Sequence, residues 1–78
     1  WYPGEPDVLK QTILKMLSYK GEKINAIGVM APHAGMVYSG EVAGYVYSAI
    51  EAKKNIIVLS PNHAGVGKKA SIMTEGSW

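Results

Sequence analysis

Residues 24–35 read INAIGVMAPHAG, and this stretch decides how we expect the chain to fold. Its first eight residues are mostly apolar without strict alternation, which is typical of a strand buried on both faces of a sheet. Pro32 has no backbone N–H to donate to a neighbouring strand, so strand pairing should stop there. The stretch therefore predicts a buried strand over 24–31, followed by a loop that carries His33.

A second stretch repeats this arrangement, because residues 55–65 read NIIVLSPNHAG. Its β-branched run predicts a strand that Pro61 ends, and His63 follows; His33 and His63 are the chain's only two histidines. Two parallel strands need a long crossover, usually a helix, and the connection is normally right-handed. Since ligands in such sheets bind beyond the carboxyl ends of the strands, we expect the two imidazoles to share one site.

Helical spacing of apolar residues completes the predicted architecture. A first helix should begin at Pro6-Asp7 and end near Tyr19–Gly21, and a second should begin at about Ser39. Residues 70–74 are a weaker candidate for a third strand. The predicted class is α/β, built around a parallel βαβ unit. The apolar face of the second helix should consist of Val42, Tyr45, Val46, Ala49 and Ile50.

Length and composition set limits on the possible classes of protein. We expect the 78 residues to form a single incomplete domain, cut from a longer protein, because the chain is short and lacks an initiator methionine. It has no cysteine, and its net charge of +2 comes from scattered lysines without any arginine. This pattern argues against disulfides, nucleic-acid binding and bidentate phosphate recognition. With no apolar run long enough for a membrane span, a cytoplasmic location is expected.

A metal centre is the chemistry that the two histidines favour most. Neutral imidazole is the commonest metal ligand, but a catalytic site usually needs three protein ligands and an open position. Glu41 is the nearest carboxylate, and we expect it to offset the dipole at the start of the second helix instead. The third ligand should therefore lie outside this chain. The alternative is that each histidine only hydrogen-bonds the backbone of its own loop.

Two other chemistries fit the sequence poorly. Asp7 is the only aspartate and lies in the first predicted helix, so a Ser-His-Asp triad is not expected. Residues 35–40 have the glycine spacing of a phosphate-binding P-loop, but Glu41-Val42 follow where lysine and serine or threonine are required. Tyr38, five residues after His33, is a candidate to line a pocket, although packing also explains it.

The ordered motifs resemble the Memo-like proteins, also grouped as component B of the AmmeMemoRadiSam set. They are WYPG at the start, APHAGMVYSGEVAGYVY, SPNHAGVG and TEGSW at the end. The resemblance covers the whole chain and the N-terminal portion of a family member. It implies a fold similar to class III extradiol dioxygenases, which use non-haem iron. It also implies a pocket containing His33 and His63, a wall tryptophan at Trp1, a tyrosine at Tyr38, and a C-terminal cysteine that this chain lacks.

Two functions follow as hypotheses. One is a metal-binding, oxidative enzyme in which His33 and His63 hold a divalent ion, iron ahead of copper or zinc. The other is a non-catalytic protein that uses a vestigial dioxygenase-like pocket to bind a peptide or a small anionic ligand. In either case the expected partners are a small molecule or peptide and the remainder of the full-length chain, with no nucleic acid and no membrane.

Overall fold

The computed structural model describes residues 2–76 and contains two helices, α1 (Pro6–Met16) and α2 (Met36–Ser48). The predicted start of α1 is confirmed, since Pro6 opens the helix and Asp7 lies in its first turn. The helix ends at Met16, earlier than predicted, and Leu17 caps it with a non-helical ψ of 71°. Tyr19 instead donates its backbone N–H to Ser48 Oγ at 3.1 Å. The Tyr19 amide, which would form an intrahelical hydrogen bond in a longer α1, therefore bonds to α2 instead.

Helix α2 begins at Met36, three residues before the predicted start at Ser39. Gly35 is its N-cap, and the Gly35 carbonyl accepts from the backbone N–H of Tyr38 at 2.8 Å and of Ser39 at 3.2 Å. As a result, Glu41 lies beyond the first turn, which contains no acidic residue. The predicted role of Glu41 in offsetting the helix dipole is therefore wrong, because that effect is confined to the first turn.

The two helices pack through small residues of α2. A Cβ built on Gly44 would lie 2.4 Å from the Met16 carbonyl oxygen, so α1 approaches α2 at a distance that only glycine permits. Gly44 and Ser48 are buried in α2. Of the apolar face predicted for α2, Val42 is 59% and Tyr45 is 52% exposed and Val46 is half-buried, while the buried Ala49 and the half-buried Ile50 lie past the end of the helix. Small residues, which hydrophobic periodicity does not detect, form the contact.

The predicted strands do not form a sheet within residues 2–76. The only bridge among these residues is an isolated parallel pairing of Ile24, in the first predicted strand, with Ile50, which was predicted to belong to the second helix. Ile24 donates its N–H to the Ala49 carbonyl at 2.8 Å, and its own carbonyl accepts from Glu51 N–H at 3.0 Å. Residues 25–31, 55–60 and 70–74 have no strand structure.

The physical reason is visible in the second apolar run, where Ile57 is 88% and Leu59 is 92% exposed. A strand of this composition is stable only when neighbours cover both of its faces, and residues 2–76 do not supply them. The α/β class is therefore unconfirmed, and within residues 2–76 no bridge joins the two strands of the predicted βαβ unit.

Neither α1 nor α2 combines the length and the apolar composition needed to cross a bilayer.

Candidate functional site

The structure brings the two histidines into contact. His33 Nδ1 and His63 Nε2 are 3.4 Å apart, and the ring centroids are separated by 5.0 Å with a tilt of 38° between the planes. Both residues are exposed and lie in loops, 30 positions apart in the sequence. The expectation that the two loops meet therefore agrees with the geometry, although the sheet that was to align them does not form.

This separation limits what the pair can do. Nitrogen donors usually lie about 2.7–3.2 Å from their acceptors, so at 3.4 Å a direct bond between the rings is long. Each neutral imidazole offers one N–H and one acceptor nitrogen. When neither of two neighbouring ring nitrogens carries a proton, both can bind the same metal ion.

Asn62 holds the loop that carries His63. Its Oδ1 accepts from the backbone N–H of Gly65 at 3.0 Å, and its Nδ2 donates to the Val66 carbonyl at 2.8 Å. A backbone bond from Gly65 N–H to the Asn62 carbonyl, 3.3 Å long, closes the same turn. Asn62 was not among the residues predicted from the sequence. The available signal was asparagine at the first position and glycine at the fourth, which are favoured there in type I turns.

The loop that carries His33 is fixed from α2. Ser39 Oγ donates to the Ala34 carbonyl at 3.1 Å, one residue after His33. With Gly35 capping the helix, the residues on the carboxyl side of His33 are tied to the first turn of α2. A bond from α2 thus holds the backbone after His33, whereas a hydrogen-bonded turn holds the backbone after His63.

Tyr38 and Glu41 form no hydrogen bond with either imidazole in the part of the chain that the structure describes. Tyr38 lies in the first turn of α2 and is 79% exposed. Trp1, the predicted wall residue, lies outside the described residues. Glu41 lines a separate polar depression with Lys15 of α1. No group of three histidine, cysteine, aspartate or glutamate side chains suited to a metal occurs within residues 2–76.

An apolar cleft opens between α1, α2 and the His33 loop. Its volume is about 400 Å³. Because Pro32 and Ala34 line it on either side of His33, a molecule in the cleft would lie next to the histidine loop. The lining residues are Tyr2, Ile13, Met16, Leu17, Pro32, Ala34, Gly35, Met36, Ser39, Gly40, Ala43, Gly44 and Tyr47.

Comparison with known proteins now identifies the family. A family model described as "Memo-like protein" matches residues 1–78. The chain belongs to the Memo-like family. Curated relatives named "MEMO1 family protein" include one from Nitrosopumilus maritimus, which is 40% identical over 87 residues, and one from Aquifex aeolicus, which is 34% identical over 79. Each alignment covers 100% of this chain, but only 32% and 30% of the relative, respectively.

A further relative, from Pyrobaculum aerophilum, is 43% identical over 68 residues, which is 83% of this chain and 23% of that protein. The chain therefore spans about a quarter to a third of the length of these curated Memo-like relatives. It corresponds to the N-terminal part of a larger domain, as the sequence predicted. No solved structure matches the chain significantly, so the likeness to extradiol dioxygenases stays a prediction.

Proposed function

We propose that this segment supplies two ligands of a divalent metal site in a Memo-like protein. His33 binds through Nδ1 and His63 through Nε2, the two nitrogens that face each other in the structure. The observation that carries the proposal is the 3.4 Å separation of these atoms.

The separation fits one ion between the rings. Two nitrogens about 2.0–2.1 Å from a tetrahedral ion lie about 3.3–3.4 Å apart. The two nitrogens are already separated by the distance that this geometry requires, 3.4 Å. Both residues are exposed, so an ion can reach them from solvent.

The site is completed by the rest of the full-length protein. Residues 2–76 offer the pair no third histidine, cysteine or carboxylate, and a catalytic site usually has three protein ligands. A bound iron would supply redox and Lewis-acid chemistry, and copper or zinc are the alternatives. The two histidines hold the ion in their neutral form, and the cleft beside Pro32 and Ala34 receives the apolar part of a substrate.

Elemental analysis of the full-length protein tests this function. We expect about one equivalent of metal in the wild type and a large loss in both His33→Ala and His63→Ala. Lys69→Ala removes an exposed side chain outside the site and serves as the control. Equal metal content in the wild type and both histidine variants would refute the proposal.

A non-catalytic binding protein is the second candidate, and the cleft favours it. Its lining is dominated by apolar side chains such as Ile13, Met16 and Leu17, which suits an apolar peptide side chain better than a bare anion. Titration with peptides and with catechols separates the two functions. Saturable peptide binding without metal supports the binding protein, whereas turnover of a catechol supports the enzyme.

A further inference from the structure

We infer that Asn62 is a positioning residue that fixes His63 opposite His33. The inference rests on the proposed metal site, which it deepens by naming the residue that orders one of its ligands. Asn62 does not itself face the space between the rings: both polar ends of its side chain are engaged by its own loop.

The hydrogen bonds of Asn62 enclose His63 on its carboxyl side. The side chain reaches over His63 and Ala64 to the N–H of Gly65 and to the carbonyl of Val66. Gly65 has a φ of +65°, a left-handed conformation that turns the chain back towards Asn62. The turn thus leaves His63 at its corner, with the backbone on its carboxyl side held by the Asn62 side chain.

Side-chain packing does not hold the turn in this conformation, because the loop is exposed. All residues from 61 to 70 are exposed, and Val66 retains 76% of its surface. Besides the single backbone bond at 3.3 Å, the two bonds of the Asn62 side chain are the hydrogen bonds that hold this turn in the described structure. Removing them leaves His63 on a flexible loop, and a ligand that must be ordered on binding binds more weakly.

The test compares Asn62→Leu with Asn25→Leu in the full-length protein. Leucine is close in size to asparagine but forms no hydrogen bond. Asn25 is a matched control because its Oδ1 also accepts a side-chain hydrogen bond, from Lys53, and neither residue belongs to the two histidine loops. Asn62→Asp keeps the acceptor for Gly65 N–H and loses the donor to Val66, which provides a milder change.

Two measurements are made on each variant. In metal-free protein, the nuclear Overhauser effect between the His33 and His63 rings should be lost in Asn62→Leu, weakened in Asn62→Asp and kept in Asn25→Leu. Cobalt(II) titration followed by visible absorption should give an affinity about 10-fold weaker in Asn62→Leu, the scale of losing an outer-shell partner. The stoichiometry should stay unchanged.

The outcomes separate the two proposals. Wild-type ring contact and wild-type cobalt affinity in Asn62→Leu would overturn the positioning role and leave the metal site standing. Loss of ring contact only in the Asn62 variants, in a protein that binds no cobalt, would support the positioning role and refute the metal site. If Asn62→Leu does not fold, unchanged ring contact in a folded Asn62→Asp overturns the inference.

Discussion

Replacing Gly44 with alanine should separate α1 from α2. The new Cβ would lie 2.4 Å from the Met16 carbonyl oxygen and 2.6 Å from the Met16 carbonyl carbon. Both are backbone atoms at the end of α1, so no side-chain rotation relieves the clash. Gly40→Ala is the matched control, because its Cβ would meet the flexible Met16 side chain, with Sδ at 2.7 Å and Cε at 2.9 Å.

The magnitude follows from two opposing effects. Overpacking costs about 1–3 kcal/mol, and a clash with backbone belongs at the upper end, whereas Gly→Ala inside a helix gains about 1 kcal/mol. We therefore expect Gly44→Ala to lose about 2 kcal/mol of unfolding free energy, and Gly40→Ala to change it by less than about 0.5 kcal/mol.

Urea denaturation of both full-length variants measures the difference. If the unfolding free energy of Gly44→Ala equals or exceeds that of Gly40→Ala, the close approach of the two helices is contradicted.

Three further predictions concern the loops and the isolated segment. Ser39→Ala removes the bond to the Ala34 carbonyl and should lower the unfolding free energy by about 0.5–1 kcal/mol in urea denaturation; an unchanged midpoint contradicts it. Gly65→Ala should cost about 1–2 kcal/mol because of its positive φ. Gly28→Ala, where a Cβ meets open space, should leave the unfolding free energy unchanged or raise it. Equal changes in unfolding free energy for the two variants would show that alanine is not strained at the positive φ of residue 65. Residues 1–78 alone should aggregate on heating, since large apolar side chains are exposed; a reversible, cooperative melt of a monomer would contradict this.

Local signals in the sequence predicted both helices but only one of the helix ends that the structure shows. Pro6 and Asp7 located the start of α1, because proline and an acidic residue suit a first turn. The start of α2 was set too late, since Gly35 can cap a helix as well as loosen a loop. The contact at Gly44 escaped prediction because it depends on the absence of a side chain, and periodicity records only the apolar ones.

The sequence allowed us to predict that the two histidines would meet, but not which hydrogen bonds hold their loops. The duplicated proline-histidine loops predicted that His33 and His63 would meet, and their nitrogens are 3.4 Å apart. The strands that were to align them require covering neighbours, which residues 2–76 do not contain. The loops are held instead by hydrogen bonds that the side chains of Ser39 and Asn62 form. Such bonds depend on the distance between a side chain and the backbone, which the order of residues in the sequence does not give.

Anomalous scattering from a crystal of the full-length protein tests the metal site most directly. The account predicts a peak about 2.0–2.2 Å from both His33 Nδ1 and His63 Nε2, with a third ligand contributed from beyond residue 78. Crystals grown with iron or zinc that show the two rings in contact and no peak between them would contradict it.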